Sequence, residues 1–334
     1  MMGVIVLVFI LFQGFGDPER LISGQRSDDA TRQNIRRELY LDQPKWKQFL
    51  LYLNDVSPIA IHNREEIEKK QLKGLFIGGD TKLAIKIPYL RRSYQSKKEV
   101  WSVLMDALPG TILLAVAAIF IAVLLGIPLG VMAAMKKDTW MDTSAVFASI
   151  LGISAPSFFM GIVIAYVFGF VLDNITGLHM TGSWIEMDEL TGKRYWALQN
   201  LILPAITLGI RPMAIITQLT RGAMLDVLNQ DYIRTAYAKG LTRRVVVWKH
   251  ALRNALNPVI TAITGWFAEL LAGAFFVEYI FGWKGIGKVT VDALGELDFP
   301  VVMGSVLITS FFFIVINILA DILYAVVDPR VRLE

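Results

Sequence analysis

The sequence predicts an all-α, polytopic membrane protein with six transmembrane helices. Three observations carry that expectation. Of the 334 residues 54% are hydrophobic and the mean hydropathy is +0.51, too apolar for a soluble chain of this length. Several windows are each long enough to cross a hydrocarbon core ~30 Å thick, which takes ~20 apolar residues. Their apolar runs are continuous rather than alternating, which excludes a closed β-barrel.

Taken in order, Met1 to Phe12 is apolar but about half the length of a span. It has neither the basic start nor the small-residue cleavage site of a signal peptide. Residues 1–15 are expected to be a first transmembrane helix. Residues 16–98 are polar and hold nearly half of the charged residues, and they are expected outside the membrane on the extracytoplasmic side. Within them Thr31 to Leu39 and Pro44 to Leu53 have amphipathic helical patterns. Gly78-Gly-Asp80, followed by alternating Leu83, Ile85 and Ile87, predicts a small hairpin.

Residues 99–334 form the membrane domain. Leu108-Pro-Gly-Thr111 opens an apolar run to Met135, and Gly126-Ile-Pro-Leu-Gly130 permits a kink near its end. A short basic loop, Lys136 to Asp142, leads to a span over Ala145–Leu172. A polar stretch follows, with Trp184 and Trp196 as interfacial anchors. Further spans cover Leu201–Leu219, Val259–Phe281 and Val301–Val327, with a Gly-rich loop from Gly282 to Phe299 before the last.

Orientation follows from the charge of short loops. Lys136 and Lys137 share one side with Arg221, Arg234, Lys239, Arg243, Arg244, Lys249 and Arg253, and with Arg330 and Arg332. The opposing short loops balance Lys193, Arg194, Lys284 and Lys288 with acids. The first set is expected in the cytoplasm of a bacterial-type plasma (inner) membrane, with both termini inside. The net charge of +4 is modest, and basic residues concentrate in short loops, so the charge predicts topology and no nucleic-acid partner.

The polar segment at residues 229–244, Asn229 to Arg244, lies between two apolar runs. Asp231 is expected to cap a short helix there, and Gly240 to stop it. Thr235, Ala236 and Ala238 are small enough for a partner to approach closely. Read from spacing alone, an ordinary solvated loop is the favoured reading. However, Asp231-Tyr-Ile-Arg-Thr-Ala-Tyr-Ala-Lys-Gly240, with His250-Ala-Leu-Arg-Asn-Ala-Leu-Asn-Pro258, resembles the cytoplasmic motif of ABC importer permeases. The similarity is to the branch for dipeptides, oligopeptides and nickel. The importer pattern reads Glu-Ala-Ala, three residues, then Gly. Arg234, Thr235, Ala236 and Gly240 stand at those positions, and Arg-Thr-Ala is usual in the peptide branch. Val277-Glu-Tyr-Ile-Phe-Gly-Trp-Lys-Gly-Ile-Gly287 is similar to the family's outer loop, with Lys284 where Pro is usual. Ser154-Ala-Pro-Ser-Phe-Phe-Met-Gly161, Asp298-Phe-Pro-Val-Val-Met-Gly304, Asp321 to Arg330, Gly16-Asp17-Pro18 and Leu41 to Trp46 also match family segments.

The resemblance implies the importer permease core fold, and that the N-terminal half of the first transmembrane helix is missing. It makes Asp231, Tyr232, Arg234, Thr235, Ala236, Ala238, Lys239 and Gly240 part of a coupling helix that docks on an ATPase. It also implies two cytoplasmic ATP-binding subunits, a homologous second permease subunit and an extracytoplasmic solute-binding protein. The cargo it implies is a peptide, with nickel or another small solute as the alternative within the branch. Ile61 to Ile87 has no family counterpart and reads either as a solvated insertion or as a contact for the binding protein.

The chain is expected to do no covalent chemistry. No Gly-x-x-x-x-Gly-Lys-[Ser/Thr] loop is present, so ATP is not expected to bind, and cysteine is absent. His62, His179 and His250 are far apart, each is expected at the surface, and no metal or other cofactor is expected. A membrane enzyme is disfavoured because no span carries a nucleophile with its base or a metal motif. Phe311-Phe-Phe313 reads as lipid-facing or packing, with a peptide-contacting wall as the alternative. Arg211 and Glu269 fall near the middle of the fourth and fifth spans. A charge at the bilayer centre costs ~2.5–3.5 kcal/mol on insertion scales, so such residues face a bundle interior and pair. The two are expected to approach each other in the translocation path.

Overall fold

The computed structural model describes residues 1–14, 40–188 and 191–327. The helix expected over Thr31–Leu39, the Gly16-Asp17-Pro18 match and the tail Asp328 to Glu334 lie outside the described residues. The chain divides into two compact units, residues 1–107 with 289–311 and residues 108–288 with 312–334.

The first unit begins with an apolar helix α1 (Met2–Gly14), whose Phe9 packs edge-on against Phe49 of α2 (Lys45–Val56) at 5.2 Å. A three-stranded antiparallel sheet follows, in the order β1-β3-β2. Its strands are β1 (Ile59–Asn63), β2 (Gly74–Gly78) and β3 (Thr81–Lys86), with a short helix α3 (Arg64–Lys70) between β1 and β2. The β2–β3 hairpin is the one expected at Gly78-Gly-Asp80. The sheet adds a strand, β1, to the expected hairpin, in a chain that is otherwise mostly helical as expected. Alternation puts Ile59 and Ile61 outward and turns Ala60 and His62 inward.

His62 is buried, with Nδ1 3.0 Å from Glu66 Oε2, which corrects its expected surface position. Burial lowers its pKa, and the Glu66 contact opposes that in part. Asp55 holds Lys70 in an ion pair and Lys86 Nζ donates to its backbone oxygen. Burial pulls the Lys86 pKa down to about 8, against the Asp55 carboxylate. At the other end of this unit Asp298 accepts from Ser93 Oγ and from the Tyr94 N–H.

The second unit is mostly helical. Its first helix is α4 (Val100–Met135), whose residues 100–107 belong to the first unit. α5 (Trp140–Ser154) and α6 (Ser157–Tyr166) are bent 107° apart. The cause is Pro156. It cannot donate to the preceding turn and forces Ala155 into an extended conformation, ψ 129°. The single span expected over Ala145–Leu172 is thus a broken helix, which runs into a π-turn at Val167–Val171.

A four-residue helix α7 (Asp173–Thr176) precedes a two-stranded ribbon, β4 (Ile185–Met187) with β5 (Arg194–Trp196). There Trp184 meets Trp196 edge-on at 5.4 Å. α8 (Ile202–Leu228) packs against α5, α6 and α11 (Leu252–Gly273). Between α8 and α11 lie α9 (Asp231–Ala238), a single turn α10 (Arg243–Val245) and a π-turn (Val246–Ala251). α12 (Phe275–Ile280) and α13 (Ile286–Gly295) lead to the last helix, α14 (Phe299–Val327). The core gathers Leu114, Ala118, Leu203, Leu208, Leu271 and Trp283.

Among the described residues three helical stretches are long and apolar enough to cross a membrane: Val100–Met135, Leu198–Leu228 and Phe299–Ile322. A fourth is present if the bent α5–α6 pair counts as one span. At 13 residues α1 is shorter than a full crossing needs.

Candidate docking site and transport path

α9 lies between two long apolar helices and is amphipathic on a small scale. Ile233 and Ala236 turn inward against Val131, Met224, Val246 and Leu252, three or four residues apart as a helical face requires. Asp231, Tyr232, Arg234, Thr235, Ala238, Lys239 and Gly240 are exposed. The smallness of Ala236 therefore serves seating within the chain, while the remaining residues of the expected docking set form the free face.

The helix does not start where the sequence suggested. Gln230, in an extended conformation at ψ 150°, is the residue before the first turn, and its side chain makes no cap bond. Asp231 is the first helical residue, where a carboxylate favours the positive end of the helix dipole. It also meets Arg234 at 3.6 Å on the exposed surface.

The stop at Gly240 is as expected. Gly240 adopts φ +80°, its N–H donates to Tyr237 O at 2.9 Å and the Leu241 N–H donates to Ala236 O at 3.3 Å. This pair of bonds is a Schellman motif, which satisfies carbonyls that the end of a helix leaves open. Asn254 Nδ2 donates to Tyr232 Oη at 2.7 Å, which ties α9 to α11. The result is a short polar helix seated by two apolar residues and one side-chain bond, with most of its surface free.

Arg211 on α8 and Glu269 on α11 line one cleft of about 90 Å³, together with Ser157, Thr207 and Trp266. Both charges are exposed. The Arg211 guanidinium stands over the Trp266 ring, 5.6 Å from its centre. Among the described residues no ion pair joins Arg211 to Glu269. The structure brings the two to one cleft, and a cation–π contact holds the cation.

Two features escaped sequence reasoning. Arg221 grips Asp142 from two nitrogens, Nη2 at 2.7 Å from Oδ2, and so joins α8 to the start of α5. These residues are 79 positions apart, and each read as a loop charge. Glu278, inside an apolar run, is fully buried. Its carboxylate accepts from Thr111 Oγ1 at 2.7 Å and from the Lys288 N–H at 3.1 Å, while Trp283 Nε1 donates to Gly110 O at 2.9 Å. The Leu108-Pro-Gly-Thr111 turn and the Gly-rich loop, both singled out in the sequence, are in fact one cross-linked structure. Among the described residues no group of three or more His, Asp and Glu is placed to hold a metal.

The model of the family described as "Binding-protein-dependent transport system inner membrane component" matches residues 126–333. The dipeptide transport system permease protein DppB of Escherichia coli (strain K12) is 36% identical over 350 residues, covering 99% of this chain and 94% of that protein. DppB of Haemophilus influenzae is 44% identical over 254 residues, covering 72% of this chain and 76% of that protein. Among solved structures, an inward-facing conformation of the MetNI methionine ABC transporter has a chain with a similar fold. Its TM-score is 0.53 at 16% identity, covering 68% of this chain and 97% of that one.

Proposed function

From a chain that belongs to the binding-protein-dependent transport system inner membrane component family, a family of transport permeases and not of enzymes, we infer the membrane subunit of an ATP-driven peptide importer. The Escherichia coli relative named for dipeptide transport aligns over nearly the whole chain and supports the cargo. In this reading the chain crosses the inner membrane six times with both termini in the cytoplasm. It pairs with a homologous permease, takes peptide from an extracytoplasmic binding protein and is driven by two cytoplasmic ATP-binding subunits.

The observation that carries the mechanism is α9. Its exposed face, from Asp231 to Gly240, docks on an ATP-binding subunit, while Ile233 and Ala236 hold it to the bundle. Closure of the ATP-binding subunits moves α9, and α8 and α11 move with it through the shared apolar cluster and the Tyr232–Asn254 bond. The spans then exchange between inward- and outward-facing arrangements that ATP biases. Arg211 and Glu269 face the path, where each meets a peptide terminus of opposite charge.

Ala238→Arg tests the docking, because Ala238 is exposed and its replacement leaves the apolar cluster intact. The variant should insert and assemble in the membrane, yet dipeptide-stimulated ATP hydrolysis in proteoliposomes should fall to the basal rate. Stimulation at the wild-type level would remove α9 from the interface. For the path, Arg211→Met and Glu269→Gln should each raise the dipeptide concentration needed for half-maximal transport. Unchanged concentration dependence in both would place them outside it.

A further inference from the structure

An open cleft of about 910 Å³ lies where α4 ends, between the α4–α5 turn and the segment after α9. Its rim carries four cations, Lys136, Lys137, Arg243 and Arg244, and no acid lines it. Asp138 lies outside the lining, and Asp142 is occupied by Arg221. None of the four cations forms an ion pair among the described residues. The Arg243 guanidinium donates to Met135 O at 3.4 Å and Lys136 Nζ stands 3.0 Å from Met141 Sδ, so both heads are held at the rim by uncharged partners.

The floor differs in chemistry. Val131, Met132 and Met135 belong to the last turns of α4, inside a stretch apolar enough to span a membrane. Trp140, 76% exposed, and Trp248, 48% exposed, flank it. Indole rings of this kind suit the headgroup level, with one edge apolar and one N–H for a polar partner.

We propose that this cleft binds an anionic phospholipid, with the phosphate among Lys136, Lys137, Arg243 and Arg244 and an acyl chain along Met132 and Met135. The amphipathic order of the cleft favours a lipid over an acidic protein surface. An acidic protein would match the rim but leave an apolar floor contributed by a membrane-spanning helix. Basic pockets beside spans on the cytoplasmic side attract anionic headgroups for this reason. Arg243 and Arg244 follow directly on the α9 stop, so the bound lipid braces the docking helix from its C-terminal side. This rests on the reading of the chain as an importer subunit with that loop in the cytoplasm.

The test is native mass spectrometry of the full purified transporter, offered phosphatidylglycerol or phosphatidylcholine at equal concentration. Wild type should retain phosphatidylglycerol at least about tenfold better. Lys136→Gln with Lys137→Gln should lower that retention about 25-fold, at about fivefold for each cation near the surface. Trp140→Ala should lower it without any change of charge. Lys193→Gln with Arg194→Gln, an exposed pair outside the cleft, should leave it unchanged. Equal retention of the two lipids by wild type overturns the site, whether or not the variants assemble. So does an equal fall in the Lys193/Arg194 control, or displacement of the lipid by inorganic phosphate at the lipid's concentration. Loss of the ATP-binding subunits from the Lys136/Lys137 variant with lipid retention intact would make the cleft a protein-docking surface instead. Failure of the importer reading itself shows separately, as wild type without dipeptide-stimulated ATP hydrolysis.

Discussion

Two glycine turns in the second unit use the residue for opposite reasons. At the end of α9, Gly240 sits at φ +80°, and a Cβ added there would meet nothing within 4 Å. Glycine is needed for its backbone conformation alone. In the first turn of α13, just after the loop that follows α12, Gly287 has an ordinary backbone but no space. Its Cβ would lie 2.5 Å from the Phe275 Cα and 2.8 Å from Glu278 Oε2. The first turn is open, solvated and joined to the bundle by few contacts. The second is closed around a buried carboxylate whose donors come from α4 and from the first turn of α13. An element that must meet a partner and move is built the first way, and one that holds the frame is built the second.

The sharpest way to break that contrast is Glu278→Ala. It takes the acceptor away from the Thr111 hydroxyl, which still accepts from the Ile286 N–H at 2.8 Å, and from the Lys288 N–H, bonds worth about 1–3 kcal/mol in all, and it leaves a cavity besides. Thermal unfolding of the purified transporter should show a loss on the order of 3–5 kcal/mol, and Glu278→Gln clearly less. A melting temperature unchanged in the alanine variant would mean that the closed loop bears no stability.

Ile233→Ala comes next and probes the seat of the open turn. Ile233 is 1% exposed in its apolar cluster, so truncation should cost about 2–4 kcal/mol. The loss should fall on α9 rather than on the whole bundle, read as faster hydrogen exchange confined to residues 231–241. Uniform acceleration across α8 and α11 would show that α9 is as integral as the closed loop.

The open turn was the more legible of the two because its code is local. Small residues, a glycine stop and basic neighbours all fall within Asp231–Arg244, and only the cap was misplaced by one residue, from Gln230 to Asp231. The closed loop depends on pairs 167 and 173 positions apart, Thr111 with Glu278 and Gly110 with Trp283. No period or propensity reports such a pair, and a lone acid in an apolar run gives no direction. The Asp142–Arg221 bridge was hidden for the same reason. Pro156 carried the signal for the α5–α6 break, but the apolar content of Ala145–Leu172 outweighed it in a reading by composition. In the first unit the alternation of β3 was visible. β1 has the same outward aliphatics, Ile59 and Ile61 opposite Ile85 and Leu83 of β3, but no glycine turn flanks Ile59-Ala-Ile-His-Asn63 to mark it.

Gly240→Ala separates conformation from space. No atom stands in the way of the new methyl group, so the cost is that of a side chain at φ +80°, about 1 kcal/mol, borne by the Schellman turn alone. Global melting should shift little, while dipeptide-stimulated ATP hydrolysis should fall severalfold because the end of the docking helix frays. Gly287→Ala should do the reverse, costing melting temperature first. If the two substitutions lowered melting equally, the distinction between the turns would be wrong.

The smallest effect is expected from Tyr232→Phe. It removes only the bond that Asn254 Nδ2 donates at 2.7 Å, at a partly exposed site where the amide can turn to water. The net worth of such a bond is about 0.5–1.5 kcal/mol, and solvent access places it at the low end. Global stability should be nearly unchanged. Yet this is the one side-chain hydrogen bond between α9 and α11 among the described residues, so it measures how firmly motion of α9 reaches the bundle. If coupling runs through it, the variant hydrolyses ATP at the wild-type basal rate but moves fewer dipeptides for each ATP. If the apolar seat of Ile233 and Ala236 carries the coupling alone, the ratio stays at the wild-type value. The ratio therefore decides which of the two contacts transmits the stroke.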